Sequence, residues 1–135
     1  MQRRDFLMLT AAVTLAAPTA FAANANIYSP ELVAAELAAG KTVVLDFTAS
    51  WCISCKVQGR AIRALRDANP DYDKTITVVD LDWDTYADTD IAKKYGVTNR
   101  GSLVFLRGDK VIAQTDTMSS KAELKILFDQ AAAAA

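Results

Sequence analysis

A strand that is apolar on both faces has to be covered on both faces, and Thr42 to Thr48 is such a strand. Val43-Val44-Leu45-Asp46-Phe47 has no wet side, apart from one carboxylate at Asp46. A sheet with one solvated face would expose half of these side chains, whereas a sheet between two helical layers buries them all. The chain around this segment supplies such layers. Ser29-Pro30-Glu31 opens a helix that runs to Gly40, with serine as cap, proline in the first turn and an acid near the positive end. From Cys52 to about Ala68, apolar Val57, Ala61, Leu65 and Ala68 recur at helical spacing until Asn69-Pro70 stops the helix.

Thr75 to Leu81 reads as a second buried strand and Asp90 to Tyr95 as a short helix closed by Gly96. Ser102 to Leu106 and Lys110 to Thr115 flank the turn Arg107-Gly108-Asp109 and predict an antiparallel hairpin. A last helix opens at Ser120, with Glu123 completing a capping box, and passes through Leu124, Leu127 and Phe128 into an alanine tail expected to fray from Ala131. Parallel crossovers followed by a hairpin imply one mixed α/β sheet flanked by helices. No internal repeat or interdomain linker interrupts it.

The two cysteines are three positions apart, so a disulfide between them closes too small a loop to act as a structural staple. Their pairing points to chemistry. Cys52 stands where a strand gives way to a helix, and the unpaired N–H groups and positive dipole end of that helix favour its thiolate. Cys55 lies one turn on and is placed to resolve a mixed disulfide formed by Cys52. Lys56 adds a positive charge nearby, and Ile53 and Ser54, between the sulfurs, are the side chains expected to tune the redox potential. The expectation is no metal and no cofactor, since two thiols and no imidazole fall short of a closed zinc set; the rival is a carrier of copper, zinc or an iron-sulfur cluster that draws further ligands from a second subunit, a bound thiol or carboxylates. A binding module without turnover is a third class.

The first residues set the compartment. Gln2-Arg3-Arg4-Asp5-Phe6-Leu7 precedes a modestly apolar run that ends in Ala20-Phe21-Ala22, the small-x-small form of a cleavage site. The paired arginines resemble a twin-arginine export signal. The expected division is a signal peptide over residues 1–22 and one domain over 23–135, exported to the periplasm. The chain carries 15 basic and 16 acidic residues. Removal of the leader leaves 13 and 15, with no basic stripe of the kind nucleic acid requires.

Leu45-Asp46-Phe47-Thr48-Ala49-Ser50-Trp51-Cys52-Ile53-Ser54-Cys55-Lys56 resembles the active-site segment of thioredoxins. Its Trp-Cys-aliphatic-small-Cys-Lys form is most similar to the C-terminal domain of transmembrane thiol:disulfide interchange reductases, as is Asp80-Leu81-Asp82-Trp83-Asp84. The resemblance spans about Val43 to Thr115. It implies the thioredoxin fold with a four-stranded mixed sheet, dithiol exchange without an organic cofactor, and a monomer that reduces disulfides of periplasmic proteins with electrons from a membrane-bound donor. An oxidase using the same residues is the nearest alternative.

It also implies that Asp46 is the buried carboxylate beneath the second cysteine, able to accept and return the proton of Cys55. The plainer reading is an aspartate bonded to backbone at a strand end. Where thioredoxins place a lysine near that carboxylate this chain has Asp80, which either raises the Asp46 pKa further or faces water. Where they place a cis-proline opposite the cysteines it has Gly101, expected to follow a different and looser path or simply to begin a strand. Arg100, before it, is then placed to pair with an extended partner peptide, and Trp51 either contacts partners or packs.

Overall fold

The computed structural model describes residues 26–117 and 119–135, so the expected leader over 1–22 lies outside the described residues. The chain runs β1 (Asn26–Ile27), α1 (Pro30–Ala38), β2 (Thr42–Thr48), α2 (Ile53–Ala68), α3 (Tyr72–Thr75), β3 (Ile76–Asp82), α4 (Trp83–Tyr86), α5 (Asp90–Lys94), β4 (Leu103–Arg107), β5 (Lys110–Thr115) and α6 (Lys121–Ala133). The five strands form one sheet in the order β1-β3-β2-β4-β5, with β2 parallel to β3 and antiparallel to β4. The expected four strands are present. The fifth is the two-residue β1, too short for a periodic pattern to announce, which adds a parallel edge to β3.

β2 is the middle strand, and its alternate residues feed two cores. Val43, Leu45 and Phe47 join Val79, Leu81, Val104 and Leu106 beneath α1 and the α4–α5 region. Val44 joins Ile62, Leu65, Phe105, Leu124 and Phe128 beneath α2 and α6. Val43, Val44, Leu45 and Phe47 are fully buried, each stabilising the fold by about 1.5–3 kcal/mol relative to exposure.

Three expectations need correction. The buried stripe of α2 is Cys55, Gln58, Ile62 and Leu65, while Val57 is 48% exposed; the helix is turned so that the second sulfur, not Val57, faces inward. Thr75 ends α3 rather than opening a strand, because that short turn tucks Tyr72 under α6, where its hydroxyl donates to Asp129 and its ring meets Phe128 edge-on. The alanine tail does not fray at Ala131. That residue is fully buried, its carbonyl accepts from Thr42 Oγ1 at 3.2 Å, and the helix continues to Ala133. The expected capping box is formed: Ser120 Oγ accepts from Glu123 N, and Glu123 Oε2 accepts from Ser120 N.

Candidate active site: a cysteine pair at the head of α2

α2 begins at the C-terminal end of the central strand, and its cap is a sulfur. Cys52 has extended backbone angles and its Sγ accepts the N–H of Cys55 at 3.2 Å, the position that a serine or aspartate oxygen occupies in ordinary N-caps. Cys52 and Cys55 are joined as a disulfide with Cα atoms 5.2 Å apart. The Ser54 hydroxyl is 3.2 Å from Cys52 Sγ and can donate to it. A 16-residue helix directs its positive end at this sulfur, so the reduced form meets a donor and a dipole that both favour thiolate. Both cysteines are nearly buried, 3% and 4% exposed, against Ala49 and the Trp83 ring.

Two different environments meet at the pair. On the outer one, Trp51 is 55% exposed, with its indole N–H shared between both carboxylate oxygens of Asp84 at 3.1 and 2.9 Å. The Arg100 guanidinium lies over the indole at 4.7 Å, a cation–π contact that holds two proposed partner-contact residues against each other. Ile53 and Val57 extend the exposed apolar surface, and Lys56 is exposed beside them.

Gly101 is buried next to Arg100, with trans peptide bonds throughout the described residues and φ +84°, a conformation open to glycine at little cost. The path is different, as expected, but it is not loose. Gly101 N donates to Phe47 O at 2.6 Å, and Gly101 O accepts from Gln58 Nε2 at 2.9 Å. Ser102 Oγ donates within the same turn, to Asn99 O at 2.7 Å. Gln58 is 1% exposed, and its other end, Oε1, accepts from Ser119 N at 2.8 Å. One side chain therefore clamps the segment opposite the cysteines to the segment before α6. Sequence reasoning missed it; the available signal was a polar residue in phase with Cys55, Ile62 and Leu65.

On the inner side lies a cavity of about 610 Å³ lined by Cys55, Asp46 and Asp80 among others. Asp46 follows Val44 in the row of β2 that faces α2, and in β3 the equivalent row is Ile76, Val78, Asp80. Register pairs Asp46 with Asp80 directly. Asp46 is 5% exposed, and burial first, then the charge of Asp80, pushes its pKa up to about 8. Asp80, half-buried, is also raised by burial, with Arg63 and Arg66 on α2 opposing the shift. Of the two readings left open for Asp80, the one in which it acts on Asp46 is what the strand register produces. Among the described residues no side-chain hydrogen bond ties Asp46 to backbone, and no group of three or more His, Cys, Asp or Glu is placed to hold a metal.

Chemically, the arrangement offers a capped nucleophile, a second sulfur within bonding reach and a carboxyl that holds a proton at neutral pH. Comparison with known proteins agrees with it. The thioredoxin family profile matches residues 25–130. A thioredoxin of Chlorobaculum thiosulfatiphilum is 34% identical over 74 residues, 55% of this chain and 64% of its own length. Thioredoxin H2 of Arabidopsis thaliana is 38% identical over 72 residues, covering 53% of this chain and 50% of itself. The chain thus spans under two thirds of the length of either relative. The crystal structure of Trxlp from Edwardsiella tarda superposes with a TM-score of 0.67 over 77% of this chain and 97% of that one; at 23% identity this speaks to the fold alone. With a profile match over most of its length, a mixed sheet of the same architecture and a Cys-x-x-Cys pair capping the helix after the central strand, the chain belongs to the thioredoxin family.

Proposed function

We propose that the chain is an exported thiol-disulfide oxidoreductase that reduces disulfides of periplasmic proteins and is itself re-reduced by a membrane-bound donor. The observation that carries the exchange chemistry is the N-cap role of Cys52 Sγ, which places an electron-rich sulfur where backbone donor and helix dipole lower the cost of thiolate. In the reduced chain, Cys52 thiolate attacks one sulfur of a partner disulfide, and the other sulfur leaves as thiolate. Cys55 then loses its proton and attacks Cys52 Sγ, which breaks the mixed disulfide, releases the second partner thiolate and restores the Cys52–Cys55 bond. The partner gains two electrons and the chain loses two.

The export half of the proposal rests on the Arg3-Arg4 leader, and the reductive direction on the likeness of Trp51 to Lys56 to the interchange reductases. Arg100 and Gly101 supply the backbone, and Trp51 the apolar surface, on which an extended partner peptide settles. Trapping tests the whole reading. A Cys55→Ala variant expressed with its own leader should accumulate mixed disulfides through Cys52 with exported proteins. Absence of any adduct overturns the exchange reading, adducts confined to cytoplasmic proteins overturn the compartment, and a reduction potential near that of strong dithiol oxidants, about −120 mV, overturns the direction.

A further inference from the structure

We propose that Asp80 works with Asp46 as a carboxylate pair over the cavity behind Cys55, so that the pair, rather than Asp46 alone, takes up and returns the proton of the resolving cysteine. The inference rests on the exchange reading above and adds to it the residue that sets when resolution can occur. Asp80 acts through Asp46 and is a positioning residue; it does not itself touch sulfur.

Strand register brings the two carboxyls to one face of the sheet. In a parallel pair, residues in register project to the same face, and Asp46 and Asp80 are in register at the C-terminal ends of β2 and β3. Both continue apolar rows, Val44 in one strand and Ile76-Val78 in the other, that lie under α2. Where those rows reach the head of the helix the packing stops and a cavity of about 610 Å³ opens, with Cys55 and both carboxyls in its wall and Cys52 absent from it. Proton traffic and partner approach are thereby given opposite sides of the disulfide.

The charges facing this cavity come from three elements. β2 contributes Asp46 and β3 contributes Asp80; α2 contributes Cys55, with Lys56 and Arg60 toward its first turns and Arg63 and Arg66 farther on. Arg63 and Arg66 hold the Asp80 carboxyl down against the burial that raises it, while Asp80 raises Asp46. Arg66 is also paired with Asp73 at 2.6 Å. Two carboxyls in one cavity resist double ionisation, so Asp80 makes Asp46 hold its proton to higher pH, and resolution waits until that proton has left and the place is free for the one from Cys55. During resolution, the Cys55 proton passes to the pair across the cavity. The Cys55 electron pair forms the bond to Cys52 Sγ, the bond from Cys52 to the partner breaks, and the departing thiolate takes that pair; the carboxyls then return the proton to water or to the leaving sulfur.

The test uses the reduced full chain and the aromatic disulfide 5,5′-dithiobis(2-nitrobenzoate). Attack by Cys52 releases the first thionitrobenzoate and resolution by Cys55 the second, so stopped-flow absorbance separates the two steps. Asp80→Asn should lower the pH midpoint of the second phase by about one unit or more and leave the first phase within about twofold of the unaltered chain. Arg63→Ala, at an exposed site, should move the midpoint the other way and keeps the test alive if Asp80→Asn does not fold. In an Asp46→Asn background the Asp80 substitution should move nothing, because the route through Asp46 is gone. An unchanged midpoint in Asp80→Asn overturns the pairing, as does a downward shift in Arg63→Ala or a full Asp80 effect without Asp46. Absence of a first phase in the unaltered chain defeats the exchange reading itself, a distinct result that takes the proposal with it.

Discussion

Trp51 stands more than half exposed under the guanidinium of Arg100, while Asp46, five positions earlier in the chain, is 5% exposed and faces another acid. The two regions share a disulfide and little else. The outer one is held by contacts that water weakens: a cation–π stack and an indole N–H to an exposed carboxylate. The inner one is held by burial, where one uncompensated charge costs far more than any surface contact contributes. Residues on the outer side should therefore govern which partners bind, and those on the inner side when the cysteines react and how stable the fold is at a given pH.

The strongest way to break that division is at the sulfurs themselves. Cys52→Ser should abolish dithiol-driven reduction of a protein disulfide, by about 1000-fold or more, with near-normal folding by circular dichroism. Retained turnover would mean that the site lies elsewhere.

Next in size is the pH dependence of stability. The Asp46 pKa is raised in the folded state, to about 8, above its unfolded value, so the folded form binds the extra proton between those two values. Stability then falls as pH rises from about 4 through about 8 and levels off above. Urea unfolding of the oxidised protein should show a loss of up to about 4 kcal/mol between pH 5 and pH 9, and Asp46→Asn should flatten the profile and be the more stable protein at pH 9. A profile that rises over this interval would place the carboxyl in water.

Gln58 clamps the segment opposite the cysteines to the segment before α6, and Gln58→Leu should cost about 1–3 kcal/mol, since it strands the buried Gly101 carbonyl and Ser119 N–H. The same change should raise KM for protein disulfides more than it lowers the rate with a small aromatic disulfide. The smallest effects belong to the outer stack. Arg100→Ala and Trp51→Ala should each change stability by about 1 kcal/mol or less, yet raise KM for protein partners several-fold with small disulfides unaffected. Equal losses with both substrate sizes would erase the distinction between the sides.

How much of this could be read beforehand depended on whether a residue's neighbours in space were also its neighbours in sequence. The unbroken run Val43 to Phe47, the Ser120 capping box and the pause at Asn69-Pro70 carry their own explanations, and the strands and helices they imply are present. The position of Cys52 at a helix start followed from local signals as well. The clamp by Gln58 did not, because its two partners are 43 and 61 positions away. Nor did the inward face of α2: Val57 and Gln58 are adjacent, and only contact with the sheet decides which is buried. Asp80 was visible as an odd residue for its place, but its effect required the β2–β3 register. Ala131 shows the same limit at the chain's end, where a tract of one small residue looks dispensable until Thr42 is found bonded to it.

The sulfur that closes the first turn of α2 has a consequence for the whole cycle. Whether bonded to Cys55, bonded to a partner or carried as a free anion, Cys52 Sγ keeps a lone pair for the Cys55 amide, so no covalent state leaves the helix without its cap. The backbone at the strand-helix junction can then stay in place while bonds are exchanged above it. The work of switching is confined to a few side-chain atoms, and the sheet serves all three states as one rigid mount.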